Sequence, residues 1–252
     1  MFPEERQRLI LRRLTAQGHV RVNELARELG VSAVTIRQDL GALAEQGLVR
    51  RTHGGAVAVQ TGFELPFART AAVNASEKAR LAEAAAAMVG EGETIVLDVG
   101  TTTTAIANAL LGRRRLTVVT NALNIAMILE ESPGITVIVT GGTLRAIQHS
   151  LVNPLGTELL RLIRADRAFI GANGVETEAG VTNANFPEAE IKRAMMAAAR
   201  ERIVVADHTQ IGRVAAAVVA PVTSFDLLLT TSEADPAEIE KLRQKGLAVR
   251  LV

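Results

Sequence analysis

The chain has 252 residues, enough for one large domain or for a small and a medium one, each with its own core. It has no cysteine, which excludes disulfides and thiolate metal sites. No apolar run reaches membrane-spanning length, and no signal-peptide core follows the charged start MFPEERQRLI, so a cytoplasmic location with no membrane partner is expected. The net charge of +1 is unevenly spread, with nine Arg against six acids in residues 1–60 and a slightly acidic remainder, which suits a basic head on a neutral body.

Residues 3–17 place Leu9, Ile10, Leu11 and Leu14 on a helical apolar face, with Pro3 suited to the first turn and Gly18 to the end. Residues 19–22 read as a short strand. Asn23 is expected to cap the next helix, 24–29, and Gly30 suits the positive φ of a tight inter-helix turn. A second helix, from Ser32 to about Gln46, is expected to bury Val34, Ile36, Leu40 and Leu43. Its opposite early face would show Ser32, Ala33, Thr35, Arg37 and Gln38. Short and basic groups at a helix N-terminus suit the major groove. The helix dipole faces phosphate, Arg37 can pair with guanine or phosphate, and Gln38 can bond adenine. The same residues also fit an ordinary solvated face. After Gly47, the segments on either side of His53-Gly54-Gly55 read as a hairpin, with Arg50 and Arg51 placed to neutralise phosphates. Helix, helix, hairpin is the order of a winged helix-turn-helix, here over residues 1–59, and its partner is double-stranded DNA.

Periodicity fades over 60–75, which reads as a linker. Ser76 is then expected to cap an Ala-rich helix over 77–89. Apolar runs at 94–99, 116–120, 135–140, 166–172 and 202–207 read as strands, with further candidates at 217–222, 226–231 and 248–252. Helices fall near 154–164, 187–199 and 236–245. The alternation predicts a three-layer α/β/α domain with a mostly parallel sheet over 76–252.

Ligands in such sheets sit beyond the carboxyl ends of the strands. There the chain has Asp98-Val99-Gly100-Thr101-Thr102, where glycine permits close approach and N–H groups with Thr hydroxyls can hold a phosphate. Thr120-Asn121, Gly141-Gly142 and Gly171-Ala172-Asn173-Gly174 end three more strands. Each alone reads as a turn or cap; the four together read as a ligand crevice. His19, His53, His149 and His208 show no ligand spacing, so no metal is expected, and no resident cofactor.

Arg6-x3-Ile10-x3-Leu14, Ser32-x2-Thr35-Ile36-Arg37-Gln38-Asp39-Leu40 and Arg51-Thr52-His53-Gly54-Gly55-Ala56 resemble the DeoR family of bacterial transcriptional regulators. The crevice motifs, with Gly180-Val181-Thr182, Glu188-x3-Lys192 and Asp207 with Gly212, are similar to that family's effector domain, so the resemblance covers essentially the whole chain. It implies a second domain similar in fold to ribose-5-phosphate isomerase and a phosphorylated sugar or related metabolite as effector. In the implied site Gly100, Thr101 and Thr102 cradle phosphate, Asp98, Asn121 and Glu188 bond hydroxyls, and Lys192 adds charge. The chain departs from the family at Gln38 and Gln210, where a basic residue is common; Arg145 or Arg213 could replace the second. Glu188 and Lys192 also fit an i, i+4 surface pair.

The expectation is a repressor of sugar or related carbon metabolism, acting as a homo-oligomer (dimer or tetramer) on a two-fold operator. The alternative is an isomerase- or deaminase-like enzyme with a DNA-binding head, with acid–base chemistry from Asp98, Glu188, Asp207 and His208. No paired-carboxylate or nucleophile motif supports it.

Overall fold

The computed structural model describes residues 2–17, 19–45, 48–52, 54–58 and 66–252, and divides into two compact units, Met1–Leu65 and Pro66–Val252. The first contains α1 (Pro3–Gln17), β1 (His19–Arg21), α2 (Val22–Leu29), α3 (Ala33–Glu45), β2 (Val49–Thr52) and β3 (Gly55–Ala58). The strands form a small antiparallel sheet in the order β1-β3-β2. Ile10, Leu14, Leu25, Ile36, Leu40 and Leu43 pack the three helices into one core. Gly30 ends α2 at φ 65°, and Ser32 Oγ accepts the Thr35 N–H at 3.1 Å to start α3. Gly55 is required by contact: a Cβ there would stand 1.9 Å from the Val20 carbonyl oxygen, inside the β1–β3 pairing.

Two local expectations in this unit are corrected. Asn23 lies inside α2, whose N-cap is Arg21, because β1 runs directly into the helix. Val34 is not buried; it is 59% exposed. It lies two positions before Ile36, and at 3.6 residues per turn that places it about 200° round the helix from the core stripe.

The second unit contains α4 (Phe67–Ala71), α5 (Ala75–Ala86), β4 (Thr94–Leu97), α6 (Thr101–Ala109), β5 (Leu116–Thr120), α7 (Leu123–Leu129) and β6 (Ile135–Val139). It continues with β7 (Thr143–Arg145), β8 (Ser150–Val152), α8 (Leu155–Arg161), β9 (Ala165–Gly171), β10 (Gly174–Glu176), β11 (Gly180–Asn183) and α9 (Phe186–Ala198). It ends with β12 (Ala199–Val205), β13 (Ala217–Ala220), β14 (Leu227–Thr230), α10 (Pro236–Gln244) and β15 (Val249–Leu251). Seven strands form a parallel sheet in the order β15-β14-β12-β9-β4-β5-β6.

Alternate residues of the central strands point to opposite faces, and both faces are covered. Ile95, Leu97, Phe169 and Ile203 pack with Leu81 of α5 and Ile106 of α6. Val96, Ile170 and Val204 pack with Ile191 and Met195 of α9 and Ile239 of α10. The unit is therefore a three-layer α/β/α sandwich.

The run at 217–222 does not join this sheet. Its β13 pairs with β11 in a separate antiparallel sheet, β10-β11-β13, and β7 with β8 forms a hairpin of its own. Ser76 does not cap α5: the helix begins at Ala75 after Asn74, whose φ of 53° makes the turn. Of the span read as a linker, 60–65 lies outside the described residues, while α4 belongs to the second unit. Among the described residues no helix is long and apolar enough to cross a membrane.

Candidate DNA-reading face and effector crevice

On α3, Ile36, Asp39, Leu40 and Leu43 turn inward, and Val34, Arg37 and Gln38 are exposed on the opposite side. Asp39 is held from behind by Arg6, whose Nη2 donates to Oδ1 at 3.0 Å and whose Nε donates to Oδ2. This buried fork clamps α1 to α3, and the hydrogen bond to Asp39 raises the Arg6 pKa above its ordinary value. The Ser32 and Thr35 hydroxyls bond each other at 2.9 Å, so they serve first as the helix start. Arg51 is exposed on β2, and its Nη1 lies 4.0 Å from where a Cβ on Gly41 would stand, beside α3. Arg50 pairs through its backbone with Val57; its side chain, and all of His53, lie outside the described residues.

In the second unit the sheet order reverses between β4 and β9; Asp98, Gly100 and Gly171 lie at the carboxyl ends of those two strands, Thr120 and Asn121 at the end of β5, and Gly141 and Gly142 beyond β6. Asp98 follows β4 with its side chain wholly buried. One carboxylate oxygen accepts the Gly171 N–H from the end of β9 at 2.9 Å and the Lys192 ammonium from α9. Lys192 also donates to the Gly171 carbonyl at 3.0 Å. The other oxygen, Oδ1, is buried and takes no hydrogen bond among the described residues. Burial pushes the Asp98 carboxyl above its ordinary value. Lys192 pulls it back, and nearby Glu188 adds a push upward.

Gly100 precedes α6 at φ 149°, a conformation that favours glycine, and its carbonyl accepts the Thr103 and Thr104 hydroxyls at 3.0 and 2.7 Å. Thr101 and Thr102 occupy the first turn of α6, where amide N–H groups have no carbonyl a turn earlier. Asn121 is fully buried and engaged at both ends of its amide: Oδ1 accepts the Val99 N–H at 3.0 Å and Nδ2 donates to the Leu151 carbonyl at 3.2 Å. It braces the loop that carries Gly100. Thr120 Oγ1 accepts the Ala122 N–H at 3.1 Å.

Glu188, at the start of α9, is buried and meets Arg145 of β7, Ser150 Oγ of β8 at 2.6 Å and Asn183 Nδ2 at 3.3 Å. Glu188 and Lys192 are thus not a surface pair; each is buried with its own partners. Gly141 (φ 72°) and Gly142 (φ 119°) end β6, and a Cβ on Gly142 would stand 2.5 Å from the Val152 carbonyl, so this pair lets the β7–β8 hairpin close on the sheet. Asn173 is exposed and its Oδ1 accepts the Ala184 N–H at 2.8 Å.

Comparisons with known proteins identify the family. A family profile described as "DeoR-like helix-turn-helix domain" matches residues 6–61, and one described as "DeoR C terminal sensor domain" matches residues 73–232. The chain belongs to the DeoR family. It is 37% identical over 256 residues to the HTH-type transcriptional regulator GolR of Listeria innocua, covering 100% of this chain and 99% of that one. It is 34% identical to the HTH-type transcriptional repressor CsqR of Escherichia coli, covering 96% and 92%. To the glycerol-3-phosphate regulon repressor of the same organism it is 30% identical, covering 100% of both. Among solved structures it is similar to ribose 5-phosphate isomerase A from Methanocaldococcus jannaschii (19% identity, 54% of each chain, TM-score 0.41). It is also similar to a probable sor operon regulator from Shigella flexneri (12% identity, 81% and 97%, TM-score 0.42). With relatives named as regulators and repressors, this DeoR-family chain is a transcriptional regulator.

Ser150 and Asn183 complete the Glu188 site of this DeoR-family protein and carry no motif, since they come from a three-residue strand and a short antiparallel sheet. Of the two candidate replacements for a basic residue at Gln210, Arg145 reaches the crevice through Glu188, while Arg213 is exposed. Gln210 itself closes a capping box with Asp207 and donates to the Ala172 carbonyl, joining the turn after β12 to the one after β9. Sequence spacing also gives no sign that His208 meets Glu77. Glu77, Asp207 and His208 each bring a ligand atom within 4.8 Å of the others. Protein groups already engage that cluster: His208 Nδ1 and Thr231 Oγ1 each lie 2.7 Å from Glu77 Oε2, and Asp207 caps the following turn. A surface cleft lined by Arg164, Asp166 and Arg200 lies at the amino ends of β9 and β12, the opposite edge from Asp98.

Proposed function

We propose that this regulator represses genes of sugar or related carbon metabolism and loses operator affinity when a phosphorylated sugar or similar metabolite enters the crevice between β4 and β9. The observation that carries the reading is the Asp98–Gly171–Lys192 junction at the reversal of strand order. Open parallel sheets bind ligands at such a point, because the chain leaves the two strands toward opposite faces. The first-turn amides of α6, with Gly100, Thr101 and Thr102, take the phosphate. Asp98, which keeps an unused acceptor, and Glu188 take hydroxyls; Lys192 and Arg145 balance charge. A relative's name, glycerol-3-phosphate regulon repressor, points to the same ligand class.

On the DNA side, Arg37 and Gln38 read base edges, and Ser32, Thr35, Arg50, Arg51 and His53 hold the backbone. A homo-oligomer in the cytoplasm presents two such heads to a two-fold operator. The β7–β8 hairpin supplies the link between input and output. Its strands give Arg145 and Ser150 to Glu188, and its turn gives the Ile147 carbonyl to the Phe67 N–H at 2.9 Å, at the start of α4.

The test is a thermal-shift panel of sugars with and without phosphate, followed by operator binding in the presence of each compound that shifts melting. A ligand of the native state raises its stability by mass action. A phosphorylated compound that raises the melting temperature and weakens operator binding is expected. Stabilisation by unphosphorylated sugars alone would refute the ligand class, and stabilisation with unchanged operator affinity would refute the control.

A further inference from the structure

In the DNA-binding unit, Phe2 and Val34 are the large apolar side chains left mostly exposed among the described residues. Phe2 precedes the first helix. Val34 is different, because it stands in the first turns of α3 on the face that Arg37 and Gln38 share. Positions 34, 37 and 38 are spaced i, i+3 and i+4, so their side chains form one contiguous patch. Gly41 continues that stripe with no side chain, and the Arg51 guanidinium lies beside it. An apolar residue thus shares its exposed face with Arg37 and Gln38, with Arg51 of β2 beside Gly41 further along the helix, while Ile36, Leu40 and Leu43 already fill the core on the other side. The neighbouring Ser32 and Thr35 hydroxyls are bonded to each other, which leaves Val34 as the forward projection of the first turn.

We propose that Val34 is a specificity-determining residue that packs against the C5-methyl group of a thymine in each operator half-site. Of the groups that base pairs show in the major groove, this methyl is the one an apolar side chain recognises; the others are hydrogen-bond donors or acceptors. The flanking cations hold the helix against phosphates, and the missing side chain at position 41 lets the middle of α3 approach closely. The inference rests on α3 being the groove-reading helix proposed above.

The test uses the full chain. Selection from random duplex DNA with the wild-type protein defines the half-site, and each thymine in it is replaced in turn by deoxyuridine, which lacks only the methyl. One thymine per half-site is expected whose replacement weakens wild-type binding about fourfold, the worth of one buried methyl. The same replacement leaves Val34→Ala binding unchanged, and selection with Val34→Ala loses the preference for thymine there. Because Val34 is exposed, the variant keeps the wild-type melting temperature. Identical responses of wild-type and Val34→Ala to deoxyuridine at every position would overturn the assignment. Arg37→Ala, tested alongside, separates the two readings: if it changes neither affinity nor base preference, groove insertion of α3 itself fails.

Discussion

Lys192 on α9 donates at once to groups from two adjacent strands, the Asp98 carboxylate after β4 and the Gly171 carbonyl at the end of β9. Both charged side chains are almost wholly buried, so each is tolerable only because of the other. Removing one partner of such a pair costs about 3–5 kcal/mol. Lys192→Met is therefore expected to destabilise the second unit by that order in urea unfolding. The cost depends on pH, and its sign follows from Asp98. Burial raises the folded-state pKa of that carboxyl above its unfolded value. Its contribution is thus fully present below the ordinary Asp range and is lost as pH rises through the raised folded value. Without Lys192 this loss grows, so the gap between variant and wild type widens with rising pH, and adding Asp98→Asn narrows it again. A gap that stays constant with pH would contradict this account.

The Arg6–Asp39 fork makes a parallel case in the first unit, with consequences confined to DNA binding. A unit of this size has a total stability of about 3–9 kcal/mol, and a broken buried pair costs about 3–5. Arg6→Met is expected to leave the DNA-binding unit largely unfolded, seen as loss of hydrogen-exchange protection in α1 and α3. Operator binding disappears, while ligand-induced stabilisation of the second unit persists. Retained protection in α3 would show that the pair is dispensable.

How far the sequence reveals these sites depends on how far apart in the chain the interacting residues lie. The parallel strands are legible because each is a short apolar run, and the crevice glycines because they follow such runs. Helical period places Ile36, Leu40 and Leu43 correctly, and strictly applied it also turns Val34 away from them; the expectation that Val34 is buried follows its apolar character and not its angular position. The contact of Glu188 with Ser150 and that of His208 with Glu77 are invisible in the sequence, since they join residues 38 and 131 positions apart through the tertiary fold. Asn121 reads as a ligand contact from its place at a strand end, and only the fold shows both ends of its amide already in use.

Two crevice glycines should respond differently to alanine. A Cβ on Gly171 would meet Asp98 Oδ2 at 3.4 Å and Lys192 Nζ at 4.0 Å, ordinary contacts, and its backbone is not in the left-handed region. Gly171→Ala is expected to fold and to gain about 0.4–1 kcal/mol through the unfolded chain. Its methyl group narrows the crevice, so effector affinity falls by about tenfold or more, a cost of about 1.4 kcal/mol. Gly142→Ala, with φ at 119° and a contact of 2.5 Å to a backbone oxygen, instead loses stability. Calorimetric titration and melting of both variants check this, and undiminished ligand affinity in Gly171→Ala would place the ligand elsewhere.

Arg51 is exposed beside α3, and a phosphate contact is proposed for its guanidinium. Arg51→Ala is expected to weaken binding to all DNA sequences alike. It also lowers the slope of log K against log salt by about one for each phosphate that the guanidinium no longer neutralises. An altered base preference with an unchanged slope would make Arg51 a base reader instead.

The turn end of the β7–β8 hairpin holds Glu188 through Arg145 and Ser150, the last pair of its ladder. The turn between them meets α4, where the Phe67 and His149 rings pack edge to face at 5.7 Å and the Ile147 carbonyl accepts the Phe67 N–H. Lys78, buried on α5, fixes the far end of α4 by donating to the Thr70 and Val73 carbonyls at 2.6 and 2.7 Å. A ligand that displaces Glu188 or Arg145 thus acts on a hairpin turn that also bears on the first element of the sensor unit. Phe67→Ala removes the ring contact and leaves the Glu188 cluster and α3 untouched. Effector affinity measured without DNA, and operator affinity measured without effector, are expected to stay near wild type. Their coupling, typically about 1–3 kcal/mol in allosteric proteins, is expected to fall toward zero. Linkage makes the check internal: operator DNA must lose its effect on effector affinity by the same factor that effector loses its effect on operator affinity. Wild-type coupling in Phe67→Ala would take the hairpin out of the route.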